Sequence, residues 1–127
     1  MVKTYRLYAA ITASINAAAQ LDITRKGRIV GVNTALVVDG APTTGDYLRA
    51  EVSFSNAAQP TTNDAANIIA EFGFGGFLTT SGAGWLNGNA AAGPLSIPVQ
   101  VGDRIYLNAT EVGASTWRLA ILLYVDE

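Results

Sequence analysis

Apolar and polar residues alternate along much of the chain, most regularly near its two ends. Apolar side chains recur at every second position from Tyr5 to Ile15 and again from Trp117 to Val125. Neighbouring side chains of a β-strand point to opposite faces, so this period of two indicates strands with one buried face. The pattern predicts a first strand over residues 3–15 and a last strand over residues 117–125.

Further strand-forming runs lie between these two, separated by turn residues. Residues 28–38 carry apolar side chains of both parities, which is typical of a strand covered on both faces. Alternation returns in 47–55, in a face from Leu95 to Val101 and, after a Gly-Asp turn, in 104–109, and a run over 68–80 is broken by glycines. The Ala-rich segment 16–20 is compatible with a helical turn. We expect one all-β domain over residues 1–127, an antiparallel two-sheet sandwich of about eight or nine strands, and we favour a jelly roll.

The composition excludes much familiar enzyme chemistry. The chain contains neither Cys nor His, which removes thiol nucleophiles, disulfides, Cys/His zinc sites and proton transfer by imidazole. Its acidic residues are scattered and do not have the spacing of a calcium loop. We therefore expect no enzymatic activity, no cofactor and no bound metal.

The charge content points to interfaces. Charged residues make up 14% of the chain, against about 25% in typical soluble domains. Obligate interfaces are depleted in charge, so we favour permanent contacts with other chains over a sandwich with an uncharged polar surface. The net charge of −2 argues against nucleic-acid binding.

The first residues superficially resemble a secretory signal, but polar residues such as Thr12 and Ser14 interrupt the apolar run. No apolar run approaches the roughly 18 residues that a membrane span requires. We expect synthesis in the cytoplasm without an export signal, and no membrane association.

A Gly-rich segment and a loop carry the candidate contact residues. Phe74 lies between Gly73 and Gly75, where the spacing does not match a nucleotide-binding loop. We favour a packing role, in which the bare glycine face admits another backbone or ring, over ligand binding.

The loop 81–89 places Trp85 among small residues, beside Asn87 and Asn89. An exposed Trp with two amides nearby is suited to stacking on a sugar ring and bonding its hydroxyls. We favour the alternative, that Trp85 packs against the sandwich or a neighbouring subunit, because Trp is mostly buried in proteins.

The segment Ile97–Leu107, a strand, a Gly-Asp turn and a strand, precedes the final apolar strand. This arrangement resembles the closing hairpins of small jelly rolls of the C1q and tumour-necrosis-factor type. The Cys-free, weakly charged, Ala- and Gly-rich composition resembles tailed-phage head-decoration, fibre and tail-tip proteins over the whole chain. The resemblance implies a virion-structural role and a homotrimer, and it supplies no functional residues.

We therefore expect a non-enzymatic structural protein of a phage virion, which associates with itself and docks on other virion proteins. The alternative is a carbohydrate- or receptor-binding module that holds a host glycan with the loop around Trp85.

Replacing Trp85 with Ala separates these two functions. As an interface anchor, Trp85 contributes about 2 kcal/mol or more to oligomerisation, and no glycan binds either form. Analytical ultracentrifugation and a glycan array measure both properties. A wild-type protein that binds a defined glycan, and a variant that loses the glycan while staying assembled, would establish the receptor-binding function instead.

Overall fold

A computed structural model describes residues 1–39, 46–55, 68–75, 87–88, 91–92, 94–113 and 115–127. All the regular structure in these ranges is β-strand, as the alternation predicts. The strands are β1 (Val2–Ile11), β2 (Ile15–Asp22), β3 (Gly27–Asp39), β4 (Tyr47–Ser55), β5 (Ile68–Gly75), β6 (Asn87–Gly88), β7 (Ala91–Ala92), β8 (Ile97–Val99), β9 (Arg104–Val112) and β10 (Thr116–Asp126).

The strands form two antiparallel sheets. Sheet A has the order β1-β10-β3, with β6, β7 and β8 all paired to the far side of β3, and sheet B has the order β2-β9-β4-β5. The segments β6, β7 and β8 meet successive parts of β3, at residues 36–37, 32–33 and 27–29, so they occupy a single strand position. Each sheet therefore has four strand positions within the described part of the chain.

The order of pairing is that of a jelly roll. The first strand position pairs with the last, the second with the seventh, the third with the sixth and the fourth with the fifth. The contacts of β10 with β3 and of β9 with β4 then join these pairs into the two sheets. The all-β, two-sheet sandwich expected from the sequence is confirmed, with eight strand positions.

The core lies between the two sheets and consists of the inward side chains of both. On β10, Trp117, Leu119, Ile121 and Leu123 are fully buried, and they face Leu48 and Leu107 and their neighbours from sheet B within one continuous apolar cluster. Burying each of these side chains stabilises the fold by about 1.5–3 kcal/mol relative to exposing it. The core thus depends on strict alternation along the central strands.

The predicted first strand is in fact two strands. β1 ends at Ile11, and after residues 12–14 the chain continues as β2 in the opposite sheet. The register of β2 against β9 is irregular between Ile15 and Ala19, which locates a bulge in the Ala-rich segment. That segment forms part of a strand and no helical turn.

Within the described part of the chain, the strand β3 packs against the core with one face and is partly exposed on the other. Its register against β10 shifts at Val30, so that Ile29 and Val32 both face the core despite their opposite parity. Val37, on the other face, is 47% exposed. Apolar side chains thus occur at both odd and even positions of β3 for two reasons. The bulge at Val30 shifts the alternation, and Val37 lies on the outer face.

Replacing Ile121 with Asp is expected to prevent folding. Ile121 is fully buried between its register partners Leu7 and Thr34, and an unpaired buried charge costs several kcal/mol, comparable with the whole stability of a domain. Circular dichroism and the soluble yield measure the loss. The matched control is Arg118→Asp, on the outer face of the same strand, which should fold; a folded Ile121→Asp protein would contradict the inward position of Ile121.

Candidate interaction surface

The outer face of sheet B is largely satisfied by the chain's own contacts. Arg49 of β4 forms ion pairs with Glu51 and Glu71, the first at 3.4 Å, and Arg104 of β9 pairs with Asp22 at 3.4 Å. These exposed pairs add little stability, but they make this face charged and strongly hydrated.

Part of the same face is already buried. Ser53 and Ser55 of β4 and Tyr106 and Asn108 of β9 stand at outward positions, yet each is at least nine-tenths covered by the chain's own atoms. The Asn108 amide nitrogen donates a hydrogen bond of 2.8 Å to the Ser53 hydroxyl. The exposed large apolar side chains of this face, Tyr47 and Val112, are register partners at one end of the sheet.

The outer face of sheet A differs from that of sheet B in its charge and in its burial. Twelve outward positions along the middle of its three paired strands carry mostly small, apolar or uncharged side chains, with two arginines among them, while the charged residues Arg28 and Asp126 lie at one end of the same face. All twelve are exposed or partly exposed. We call these residues the A-face: Thr4, Arg6, Tyr8 and Ala10 of β1, Arg118, Ala120, Leu122 and Tyr124 of β10, and Gly31, Asn33, Ala35 and Val37 of β3.

A groove crosses the middle of the A-face. Tyr8, Ala120 and Ala35 are consecutive register partners across β1, β10 and β3. Two alanines side by side leave a depression of about 430 Å³. Tyr8, which is 49% exposed, forms one wall, and Val37 stands at the other side.

Arginines lie at both ends of this groove. The Arg6 guanidinium sits 5.2 Å from the centre of the Tyr8 ring, at cation–π distance. Arg118, two residues before Ala120 on β10, lines the other end. The groove thus combines an apolar floor with positively charged ends, which suits the docking of an aromatic or apolar side chain.

An electrostatic cluster joins the two ends of the chain beside the A-face. The Tyr5 hydroxyl donates a hydrogen bond of 2.5 Å to Glu127 Oε2, and Lys3 Nζ lies 3.6 Å from Glu127 Oε1. The hydrogen bond from Tyr5, with the nearby Lys3 and Arg25 charges, lowers the pKa of Glu127, and the same hydrogen bond raises the pKa of Tyr5. The Met1 ammonium adds an exposed ion pair with Asp126 at 3.1 Å.

The candidate residues from the sequence fall in different places. Phe74 is buried in the core, whereas Gly73 beside it is exposed with open space where a side chain would stand, so no described backbone or ring packs on Gly73. Gly75 ends β5 opposite Tyr47. Asn87 begins β6 and pairs with Val37, next to the groove, whereas Trp85 and Asn89 lie outside the described residues.

Sequence reasoning missed Tyr8, Ala35 and Ala120. The alternation of β1 and β10 does place Tyr8 and Ala120 on outer faces, whereas Ala35 lies on β3, where the bulge at Val30 interrupts the alternation. Their juxtaposition depends on the pairing of β10 with both β1 and β3, and the register of strands so distant in sequence is not visible in the sequence.

No protein-family model matches the sequence, and no curated protein sequence is significantly similar to it. Among the described residues, no group of three or more acidic, His or Cys side chains is placed to hold a metal ion. The described part of the chain also contains no helix long and apolar enough to cross a membrane.

Replacing Glu127 with Gln should remove an acid-dependent contribution to stability. The pKa of Glu127 is lowered in the folded protein from its ordinary value of 4.5. The ionised carboxylate therefore stabilises the fold fully above that value, and the contribution is lost as the pH falls through the folded-state pKa. The melting temperature of the wild type should exceed that of Glu127→Gln at pH 7, and the two should converge toward pH 3.

The matched control is Glu71→Gln, which removes an exposed carboxylate from sheet B. A difference between wild type and Glu127→Gln that stays constant from pH 7 to pH 3 would contradict the role of the ionised carboxylate.

Proposed function

We propose that this protein is a non-enzymatic structural component of a phage particle that associates with copies of itself through the A-face and docks on a larger assembly. The observation that carries the proposal is the contrast between the two outer faces. Within the described residues, ion pairs and buried side chains occupy much of the outer face of sheet B, whereas the A-face is exposed or partly exposed, carries two charges and is grooved.

The physical argument for association is the cost of leaving such a face in water. Exposed apolar patches larger than a few hundred square ångströms are rare on monomers and mark interaction sites. Tyr8 on the edge strand β1 and Val37 in the last register row of the A-face are each about half exposed. An interface here would cover Val37, the large apolar side chain that β3 presents on this face.

The assignment to a phage particle is supported by the composition and by the fold. A Cys-free chain with 14% charged residues is suited to permanent contacts. The jelly roll is a common architecture of viral capsid proteins, although it also hosts lectins. Since a fold alone does not define a function, a glycan-binding role is the competing outcome of the tests.

Size-exclusion chromatography with light scattering tests the proposal. The wild type should elute at about three times the mass of the chain at micromolar concentration, the trimer that the resemblance implies. Ala120→Glu places a charge in the groove and should raise the dissociation constant more than tenfold, because that charge loses its water in the interface.

The matched control is Thr110→Glu, which adds the same charge to an exposed position of sheet B and should leave the mass unchanged. A monomeric wild type, or equal dissociation by both variants, would refute association through the A-face.

A further inference from the structure

We propose that the occupant of the groove is the Tyr8 side chain of a second copy of this chain, so that each copy offers both the inserted ring and the groove that receives it. This inference rests on the proposed self-association and specifies which residues make the contact.

The A-face carries a protruding aromatic side chain, Tyr8, next to the groove with its apolar floor. Tyr8 is the most exposed large apolar side chain of the A-face, and it stands on β1, the edge strand of sheet A. Ala120 and Ala35, the floor of the groove, lie one and two strands further into the sheet in the same register row. Tyr is a favoured anchor in interfaces because it buries a large ring at low entropic cost.

The groove does not accept its own chain's Tyr8, because that ring stands beside it as a wall and contacts the Arg6 guanidinium. A ring arriving from another copy would cover Ala35 and Ala120 and leave its hydroxyl near the polar ends of the groove. The guanidinium groups of Arg6 and Arg118 then lie at the rim, where water and polar partners remain accessible.

The A-face supplies part of the area that a stable contact needs. Strand β1 has 10 residues, which span roughly 34 Å at about 3.4 Å per residue, and the three strands of the A-face, about 4.8 Å apart, span roughly 14 Å. The flat projection from these spacings is roughly 490 Å², and a surface of side chains is larger than its projection. Stable interfaces bury roughly 800 Å² per partner, so the contact also uses surface beside the A-face.

The positions of the charges favour a ring of copies over a two-fold pair. A two-fold axis that places Tyr8 over Ala35 runs along β10, and it brings Arg118 of one copy opposite Arg118 of the other. Like charges in an interface oppose association. If Tyr8 of each copy instead enters the groove of the next, no residue needs to face its own equivalent, and such contacts form a cyclic oligomer when the rotation between neighbouring copies completes a full turn.

A photocrosslinking amino acid at position 8 tests the contact. Tyr8→p-benzoylphenylalanine keeps an aromatic ring at this position and, on irradiation, bonds to the carbon atoms nearest to it. In an oligomer mixed from ¹⁴N- and ¹⁵N-labelled chains, mass spectrometry should find crosslinks between unlike chains, from position 8 to the peptides that hold Ala35 or Ala120. Exhaustive irradiation should give covalent species larger than a dimer.

Two controls make the result specific. Tyr47→p-benzoylphenylalanine presents the same group on the outer face of sheet B and should give at least tenfold fewer crosslinks between chains. Adding Ala35→Leu, an exposed position that tolerates a larger side chain, fills the groove and should reduce the Tyr8 crosslinks by a similar factor.

An oligomer in which position 8 crosslinks elsewhere, or not at all, would overturn this inference and leave the proposed self-association intact. If exhaustive irradiation gives covalent dimers and no larger species, the copies do not form a ring. A wild type that is monomeric by light scattering would instead refute the proposed function itself.

Discussion

The central position of β10 in sheet A is the constraint on which the rest of the structure depends. Because β10 pairs with β1 on one side and β3 on the other, its alternation fixes the faces of all three strands. Its inward residues, including Ile121, are fully buried and hold the two sheets together. Its outward residues, including Ala120, must therefore form the middle of the A-face.

The same pairing links the fold to the proposed function. A sandwich buries only the inner faces of its sheets, so each outer face must be hydrated, covered by the chain or covered by a partner. On sheet B, the outer face is hydrated around ion pairs such as Arg104–Asp22, and it is covered by the chain around the buried hydrogen bond from Asn108 to Ser53. The A-face has few charges, and a second copy of the chain is the cover that we propose.

The sequence was sufficient to predict the fold class and most strand positions, because alternation and turn residues are local signals. The turn at Gly102 was anticipated, and there Asp103 accepts a hydrogen bond of 2.7 Å from the Gln100 amide. The passage from β1 to β2 was missed, since residues 12–14 keep the alternating pattern while the chain changes sheets. Val101 was expected in a strand face and lies exposed in the turn instead.

The candidate surface was less predictable than the fold. Trp85 and Phe74 stand out in the sequence because they are large aromatic residues among small ones. Of these two, Phe74 is a core residue. The groove is made by two alanines and a tyrosine from three strands, and no local pattern distinguishes such alanines from any others. Only the register of β1, β10 and β3 brings them into one row.

Hydroxyl-radical footprinting of the assembled protein tests the central claim most directly, that a copy of the chain covers the A-face. The side chains of Tyr8 and Tyr47 are 49% and 36% exposed in the single chain, on sheets A and B respectively, so the two serve as probe and internal reference in one sample. Our account predicts that oxidation of Tyr8 falls severalfold relative to Tyr47 as the protein assembles with rising concentration. An assembled protein in which Tyr8 stays as reactive as in the dilute chain would contradict it.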